Sequence, residues 1–314
     1  MDMKMHAPQY KSQSYKKMRV RRQRSDNIMQ AIIVVILLLL CASIILPCLN
    51  ILALAFNDGS DAAKGGVYFF PRMFTLQNFK EVFKDGKIIG AYRITVARTI
   101  IGTVLSLWLI TMSAFVLKIK TLPGRTFFTM AIALTMLFSG GLIPTYIQYK
   151  NLGLLNSFWV YIFPGVIGAY YLFMVRTFFD TIPDSLEESA KIDGCGYFGI
   201  YAKIILPLSK PVIAVIGLYT AVNHWNDWFA GAFYMNSSKL WPVQTVLQQM
   251  LRKAMAASEE GATISQLIAA QARAATSDSL KMAAVIITMA PILCAYPFIQ
   301  KYFAKGVMIG AVKG

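Results

Sequence analysis

Six apolar segments, each of about 20 residues or more, dominate the 314-residue chain and limit what it can fold into. An α-helix needs roughly 20 apolar residues to cross the hydrocarbon core of a bilayer. The segments lie at 28–56, 94–117, 126–147, 157–179, 212–231 and 282–300. With 56% hydrophobic and only 15% charged residues, the composition excludes an ordinary soluble domain. The sequence therefore predicts an all-α integral membrane protein with six transmembrane helices.

The positions of lysine and arginine predict which side of the membrane each end faces. Cytoplasmic flanks carry the excess of basic residues, and eight of them lie in residues 1–27, which we interpret as a basic cytoplasmic tail. The first apolar segment, 28–56, is too long for a signal peptide. An even number of crossings returns the C-terminus to the cytoplasm. The net charge of +16 thus reflects topology and attraction to anionic lipid, not nucleic-acid binding.

A polar loop at 180–211 separates the fourth and fifth apolar segments. Its distinctive residues are Glu188, Ser189, Ala190, Asp193, Gly194, Ile204, Leu206 and Pro207. Pro183 and the Ser185-x-x-Glu188 spacing predict a helix start with a capping box. Gly194 suits the left-handed position that ends a helix, and Pro207 ends a second one. The loop is therefore predicted to form a two-helix elbow on the cytoplasmic side.

The fifth apolar segment is the least apolar and becomes polar towards its outer end. Polar groups at membrane depth are costly and usually face a protein interior or an aqueous path. Asn223, Asn226 and Asp227 are spaced i, i+3, i+4 and would share one helix face. We predict that this face lines the translocation path, with Trp225 and Trp228 packed against neighbouring helices. The alternative is an interfacial belt of aromatic and polar residues.

The remaining motifs exclude several kinds of site. The chain contains no G-x-x-x-x-G-K-[ST] phosphate loop, no nucleophile–base set and no catalytic carboxylate pair, so it is not predicted to be an enzyme. The four cysteines and two histidines lack metal-ligand spacing, and no metal site is predicted. Residues 232–281 are the longest external stretch, and their Ala-, Gln- and Met-rich composition predicts an external helical loop.

Several motifs together resemble one family of transporters. The spacing of the elbow is similar to the cytoplasmic docking loop of type I ABC importer permeases, with Ser189 in place of the usual alanine. Further matches to the carbohydrate branch, and within it to the maltose-type second permease, are Thr75-Leu76-Gln77-Asn78-Phe79, Leu152-Gly153-Leu154-Leu155-Asn156-Ser157, Trp225-Asn226-Asp227 and the terminal Gly306-Val307-Met308-Ile309-Gly310. Two more motifs, at 138–146 and 296–303, resemble a Gram-positive subgroup assigned to complex oligosaccharides.

The resemblance implies a transmembrane permease domain over residues 28–314 and a coupling loop over 180–211. It implies a multi-pass subunit of the bacterial cell membrane that imports oligosaccharides delivered by an external solute-binding lipoprotein. Its partners would be a second homologous permease, forming a heterodimer, and two ATPase subunits. Those subunits would bind ATP-Mg, so the chain itself would hold no cofactor. Glu188 and Asp193 would anchor or cap the elbow and meet basic or polar groups of the ATPase.

Two other interpretations stay open at this point. The first keeps the ABC permease but changes the cargo to a non-sugar solute, such as a peptide, an amino acid or phosphate. The second is a gradient-driven secondary transporter, which would carry charges near the membrane midplane and paired broken helices. The sequence offers mainly Asp227, near one end of a segment.

Overall fold

The computed structural model describes residues 24–62, 64–84, 86–256, 278–294 and 297, and the regular structure in these ranges is helical. The helices are α1 (Arg24–Ala55), α2 (Gly59–Ala62), α3 (Gln77–Lys84), α4 (Lys87–Lys118), α5 (Arg125–Leu137), α6 (Leu142–Asn151), α7 (Ala169–Phe179), α8 (Asp184–Ile192), α9 (Tyr197–Ile200), α10 (Leu206–Leu208), α11 (Lys210–Asn226), α12 (Phe229–Tyr234), α13 (Val243–Ala256) and α14 (278–294). Short 3₁₀ turns occur at Phe158–Tyr161 and Ser238–Leu240, and a π turn at Tyr201–Ile205. The predicted all-α class is confirmed.

The chain consists of two compact units, Met1–Cys48 and Leu49–Gly314. The described part of the first unit is the apolar stretch of α1, whose large side chains are exposed from Ile28 to Leu46. The most apolar 18 residues within Asn27–Ala55 have a mean hydropathy of 3.2, so this stretch is long and apolar enough to cross a membrane. Residues 1–23 of the predicted basic tail lie outside the described residues.

The core of the second unit forms where α4 packs against α7 and α11. Its fully buried side chains include Ile110, Leu172, Phe179 and Ile216. In a membrane such contacts stabilise through close packing, because lipid tails are as apolar as the side chains themselves. Gly102 permits the close approach of α4 to α11: a Cβ at this position would lie 2.3 Å from Nε2 of His224. A larger residue at position 102 would therefore force the His224 ring to move.

Among the described residues, α1 and α4 are each long and apolar enough to cross a membrane alone. The pair Tyr197–Leu208 and Lys210–Asn226 is long and apolar enough only when its two helices are taken together, and it is bent by 80°. The predicted segment 126–147 is not one helix, because it is divided between α5 and α6 at 138–141, where Gly141 has φ +79°. Nor is 157–179, which holds a 3₁₀ turn, an irregular stretch and then α7. Glycine and proline interrupt both segments, a common cause of broken helices.

Two further regions surround this core. The predicted segment 282–300 corresponds to α14, and its residues 295–296 and 298–300 lie outside the described part. The predicted external loop 232–281 contains the end of α12, a 3₁₀ turn and α13, whereas 257–277 lie outside the described residues. Val243–Ala256 of this loop is helical, and the helical character of the Ala-, Gln- and Met-rich stretch beyond it stays a prediction.

Candidate functional site

The first helix of the elbow, α8, ends in a Schellman motif built around Gly194. The Cys195 N–H donates to the Ala190 carbonyl at 2.8 Å, and the Gly194 N–H donates to the Lys191 carbonyl at 3.0 Å. Gly194 has φ +79°, the left-handed conformation that this motif requires. The predicted capping box is wrong, because Pro183 occupies the N-cap without a side-chain cap and Ser185 lies inside the first turn.

The second arm of the elbow passes from α9 through the π turn to α10. The Leu206 N–H donates to the Tyr201 carbonyl, five residues back. Pro207 follows and has no N–H to continue either ladder. The arm ends at Leu208, one residue beyond Pro207, and α11 then begins at Lys210 in a new direction. Pro207 therefore lies within the last turn of the arm, where the Ser209 N–H still donates to the Ile205 carbonyl, and the predicted end at Pro207 is moved to Leu208.

One face of the elbow is fixed to the membrane core. Ile200, Tyr201 and Ile205 are buried in the cluster that holds α4, α7 and α11 together. Tyr201 and Thr111 of α4 share a hydrogen bond of 2.8 Å between their hydroxyl groups. Of the predicted coupling residues, Ala190 and Leu206 also pack against this cluster, and Ile204 is partly buried. This face positions the elbow and leaves the opposite face free.

Ion pairs join α8 to the C-terminal end of α4. The Lys118 ammonium contacts Glu187 and lies 3.6 Å from Asp184, while Lys120 contacts Asp184 at 2.8 Å. The Lys118 side chain is 7% exposed. The hydrogen bond and charge of Lys120, with the charge of Lys118, lower the pKa of the Asp184 carboxyl below its usual value. Asp184 and Glu187, rather than the predicted Glu188 and Asp193, therefore anchor the elbow within the chain.

This anchor was missed from the sequence, although a signal was available. The loop 180–211 is slightly acidic, and the 118–125 loop on the same side of the membrane is basic. Opposite charges on two loops that face one compartment favour an ion pair between them. The sequence alone does not give which acid meets which base, because that depends on how α8 lies against α4.

The outward face of the elbow combines polar and large apolar side chains. Glu188, Ser189, Asp193 and Pro207 are exposed, and within the described residues Glu188 makes no hydrogen bond or ion pair. Beside them, Ile192 is 87% exposed and Phe198 is 71% exposed. Large apolar side chains clustered on a watery surface are typical of an interaction site.

A second candidate site lies at the other end of α11, where the helix stops at Asn226 and Asp227 is extended. Asp227 Oδ2 accepts a hydrogen bond of 2.6 Å from the guanidinium of Arg98, and its carbonyl oxygen accepts another at 3.1 Å. Its Oδ1 accepts from the N–H groups of Phe229 and Ala230 and so caps α12. Arg98 is 1% exposed and lies 4.6 Å over the ring of Tyr161. Asp227 thus ties α4, α11 and α12 together.

Beside this ion pair lies a cavity of about 320 Å³. Arg98, Tyr161, Tyr171, Asn223, Asp227 and Tyr234 are on its wall, and Asn226 is not. The Asn226 amide oxygen instead accepts a hydrogen bond of 3.4 Å from Gln244. The prediction that Asn223, Asn226 and Asp227 share one helix face is wrong, because Asp227 has left the helix.

The two tryptophans pack as predicted against other parts of the chain. Trp225 is buried, and its indole N–H donates to the Thr288 carbonyl of α14 at 3.2 Å. The guanidinium of Arg252 in α13 lies 5.3 Å from the ring centre of Trp228.

Comparisons with known proteins agree with this geometry. The family described as "Binding-protein-dependent transport system inner membrane component" matches residues 19–309. Protein LplC of Bacillus subtilis is 39% identical over 270 residues, which are 86% of this chain and 90% of that protein. The polygalacturonan/rhamnogalacturonan transport system permease protein YtcP of the same organism is 38% identical over 86% of this chain and 93% of its own. A crystal structure of a bacterial ABC transporter involved in the import of the acidic polysaccharide alginate contains a chain with a TM-score of 0.80 and 26% identity, covering 90% of this chain and 99% of that one.

Proposed function

The chain belongs to the family of inner membrane components of binding-protein-dependent transport systems, and on that premise we propose how its elbow and its cavity are used. The protein is a membrane permease subunit of a carbohydrate ABC importer, and its part in the importer is transport rather than catalysis. YtcP and the alginate importer are each named for the import of a polysaccharide. The cargo proposed for this chain is accordingly an oligosaccharide.

The elbow docks on an ATPase subunit in this proposal. The observation that carries it is an elbow with one face fixed to α4 and α7 and the other exposing Ile192, Phe198 and Glu188. An apolar surface of this kind is stable in the cytoplasm only when a partner covers it. Because the fixed face is held by the buried Lys118 and Tyr201, a displacement of the ATPase would be passed directly to α4. The chemistry of the elbow is therefore mechanical and electrostatic.

The proposed topology has six crossings with both termini in the cytoplasm. α1 and α4 account for two of them, and α11, which follows the elbow arm after an 80° bend, would supply a third. The interrupted segments 126–147 and 157–179, together with α14, would supply the others, since broken helices cross a membrane where neighbouring protein satisfies their free backbone groups. Cysteine labelling tests this arrangement. Residues near Lys11, Arg125 and Lys191 should react from the cytoplasm, and those near Lys64 and Lys239 only from outside.

The complete importer proposed here contains a second homologous permease, two ATPase subunits that bind ATP-Mg, and an external solute-binding lipoprotein. Asn223 and Asp227 would lie on the translocation path, because they line the cavity beside α11. Asn226 stays a weaker candidate, since it is exposed but faces away from the cavity. A non-sugar cargo would need another recognition chemistry than the aromatic and amide groups found on this wall.

Reconstitution separates this function from its alternatives. The purified importer would be placed in proteoliposomes with the binding protein and a radiolabelled galacturonan trisaccharide outside, and ATP inside. We expect uptake that requires ATP and stops when the ATPase subunits are made inactive for hydrolysis. Uptake driven by a proton or sodium gradient without ATP would contradict the proposal. A parallel assay with a labelled dipeptide, which should not accumulate, tests the choice of cargo.

A further inference from the structure

The cavity beside α11 has the size of a site for one sugar ring. Its volume of about 320 Å³ lies at the lower end of the roughly 300–1,000 Å³ typical of ligand pockets. We propose that this subunit itself binds one ring of the transported oligosaccharide in this cavity, through aromatic contacts and hydroxyl hydrogen bonds and without a free charge. The inference rests on the proposed function and adds to it a substrate site within this chain.

Aromatic rings supply the apolar part of the wall. Tyr149 and Tyr234 meet edge to face with ring centres 5.0 Å apart, and Phe229 contacts Tyr234 from the other side at 6.1 Å. All three line the cavity, as do Tyr161 and Tyr171. Rings held by one another in this way are rigid and offer flat apolar surfaces with polar rims. Such surfaces match the apolar C–H faces of a sugar ring.

Amide and hydroxyl groups supply the polar part. The Asn223 side-chain amide donates to the Tyr171 hydroxyl at 2.9 Å. This bond leaves the Asn223 carbonyl oxygen to accept and the Tyr171 hydroxyl proton to donate. A donor and an acceptor side by side are what a sugar needs, since each of its hydroxyl groups both donates and accepts.

The two charges on the wall neutralise each other. Arg98 and Asp227 are paired at 2.6 Å, and the second oxygen of Asp227 is used in capping α12. Neither group is left to pair with a carboxylate of an acidic sugar. The cavity is therefore expected to bind the ring and hydroxyl groups of neutral and acidic sugars alike, and charge selection would lie elsewhere in the importer.

The depth of the cavity fits an early position on the import path. Arg98 lies about 30 Å from the cytoplasmic end of α4 at Lys118, at 1.5 Å of rise per residue. A ring released by an external binding protein would reach this level first. The cavity is also enclosed by α4 and α11, the helices that the elbow holds at their cytoplasmic ends.

A filling experiment tests the site directly. Val166 is on the wall of the cavity, whereas its neighbour Ile167 is 41% exposed and is not. Val166→Trp would fill the cavity, and Ile167→Trp is the matched control. The assembled importer in lipid nanodiscs, without binding protein, would be equilibrated with radiolabelled galacturonan and arabinan trisaccharides. We expect saturable binding to fall at least tenfold for Val166→Trp and to stay unchanged for Ile167→Trp. Unchanged binding by Val166→Trp would overturn the inference.

A charge experiment supplies a second, nearly isosteric test. Asn223→Asp would place an unpaired carboxylate in the cavity, while Asn151→Asp makes the same change at an exposed position outside it. We expect Asn223→Asp to weaken binding of the galacturonan at least tenfold more than binding of the arabinan, and Asn151→Asp to affect neither. An equal response of the two variants would reject the site.

The two proposals fail in different ways. If the wild-type importer takes up either trisaccharide with ATP but shows no saturable binding without its binding protein, the sugar site is wrong and the importer function stands. If ATP drives no uptake of either trisaccharide, the proposed function itself fails.

Discussion

The elbow and the cavity are two functional regions of one chain, and they complete their interactions differently. The elbow comes from one continuous stretch, 180–211, and leaves a face with Ile192 and Phe198 exposed for another protein. The cavity is assembled from distant segments, and its charges, Arg98 and Asp227, are paired within the chain. A change in the elbow should therefore act on assembly and coupling. A change around the cavity should act on the fold of this subunit or on the passage of substrate.

The largest expected effect is that of Asp227→Leu, which removes the carboxylate that pairs with Arg98 beside the cavity. It leaves the guanidinium of Arg98 buried without its partner, a change that typically costs about 3–5 kcal/mol. It also removes the cap of α12. We expect a lower yield and a thermal midpoint lowered by several degrees for the purified importer. Asp227→Asn is the control: it keeps the cap oxygen and should lose less. Equal stability of the wild type and Asp227→Leu would show that the ion pair does not hold this region together.

Gly194→Val should produce the next largest effect, and at the elbow. Valine would be forced into a left-handed conformation at φ +79°, at a cost on the order of 1 kcal/mol or more. Because the altered turn faces the cytoplasm, we expect weaker co-purification with the ATPase and uncoupled hydrolysis, with normal membrane insertion. Gly196→Val is the matched control, since Gly196 has φ −72° and open space around its Cβ. Normal coupling in Gly194→Val would refute the docking assignment.

Lys118→Met tests the joint between the elbow and α4. The Lys118 side chain is 7% exposed and the Glu187 side chain 14% exposed. Losing a hydrogen bond between charged groups of this kind costs about 1.5–3 kcal/mol. We expect faster hydrogen exchange of the α8 amides and less uptake per ATP hydrolysed. Lys118→Arg, which keeps the charge, should restore part of both. Exchange rates like those of the wild type in Lys118→Met would show that the apolar face alone holds the elbow.

The smallest effect should come from Lys120→Met, since the Lys120 side chain is 75% exposed. Lys120 lowers the pKa of Asp184, so its contribution is present above the unfolded pKa of that carboxyl and is lost as pH falls through the lowered folded value. Because Asp184 stays ionised between pH 6 and 8, we expect the free energy of unfolding to show no pH dependence from this pair over that range. A titration of the Asp184 carboxyl by NMR should show a higher pKa in Lys120→Met and no change in Lys64→Met. An unchanged Asp184 pKa in Lys120→Met would show that Lys120 does not pair with Asp184.

The comparison also explains which features of the fold and of the two sites could be predicted from the sequence. Gly194 was placed correctly because a left-handed turn is a property of a single residue. The apolar stretches of α1 and α4 were recognisable because length and composition determine a membrane span. The prediction for Asp227 was wrong because it assumed that α11 continues past Asn226. A continued helix would have placed Asp227 on the same face as Asn223. That the helix stops there depends on Arg98, 129 residues away, and on the N–H groups of α12.

The sequence pointed to Asn223 and Asp227 of the cavity wall but not to its tyrosines. Its tyrosines come from the 3₁₀ turn, α6, α7 and α12, which become neighbours only after α4 and α11 have packed together. The capping box failed for a related reason. Pro183 already fixes the entry to α8, and Asp184 and Glu187 are drawn towards the lysines of the 118–120 stretch. At these positions, ion pairs and packing between distant segments outweigh the local preference for a capping box.

α4 carries both attachments, to the elbow at Lys118 and to the cavity at Arg98. At 3.6 residues per turn the two positions are about five and a half turns apart, so their side chains leave the helix in nearly opposite directions. Beyond Arg98, α4 extends about 16 Å further to its outer end at Lys87. With Arg98 held by Asp227, a small displacement of the elbow at Lys118 would tilt α4 about Arg98. The outer end would then swing in the opposite sense, which is the motion that alternately opens two sides of a membrane protein.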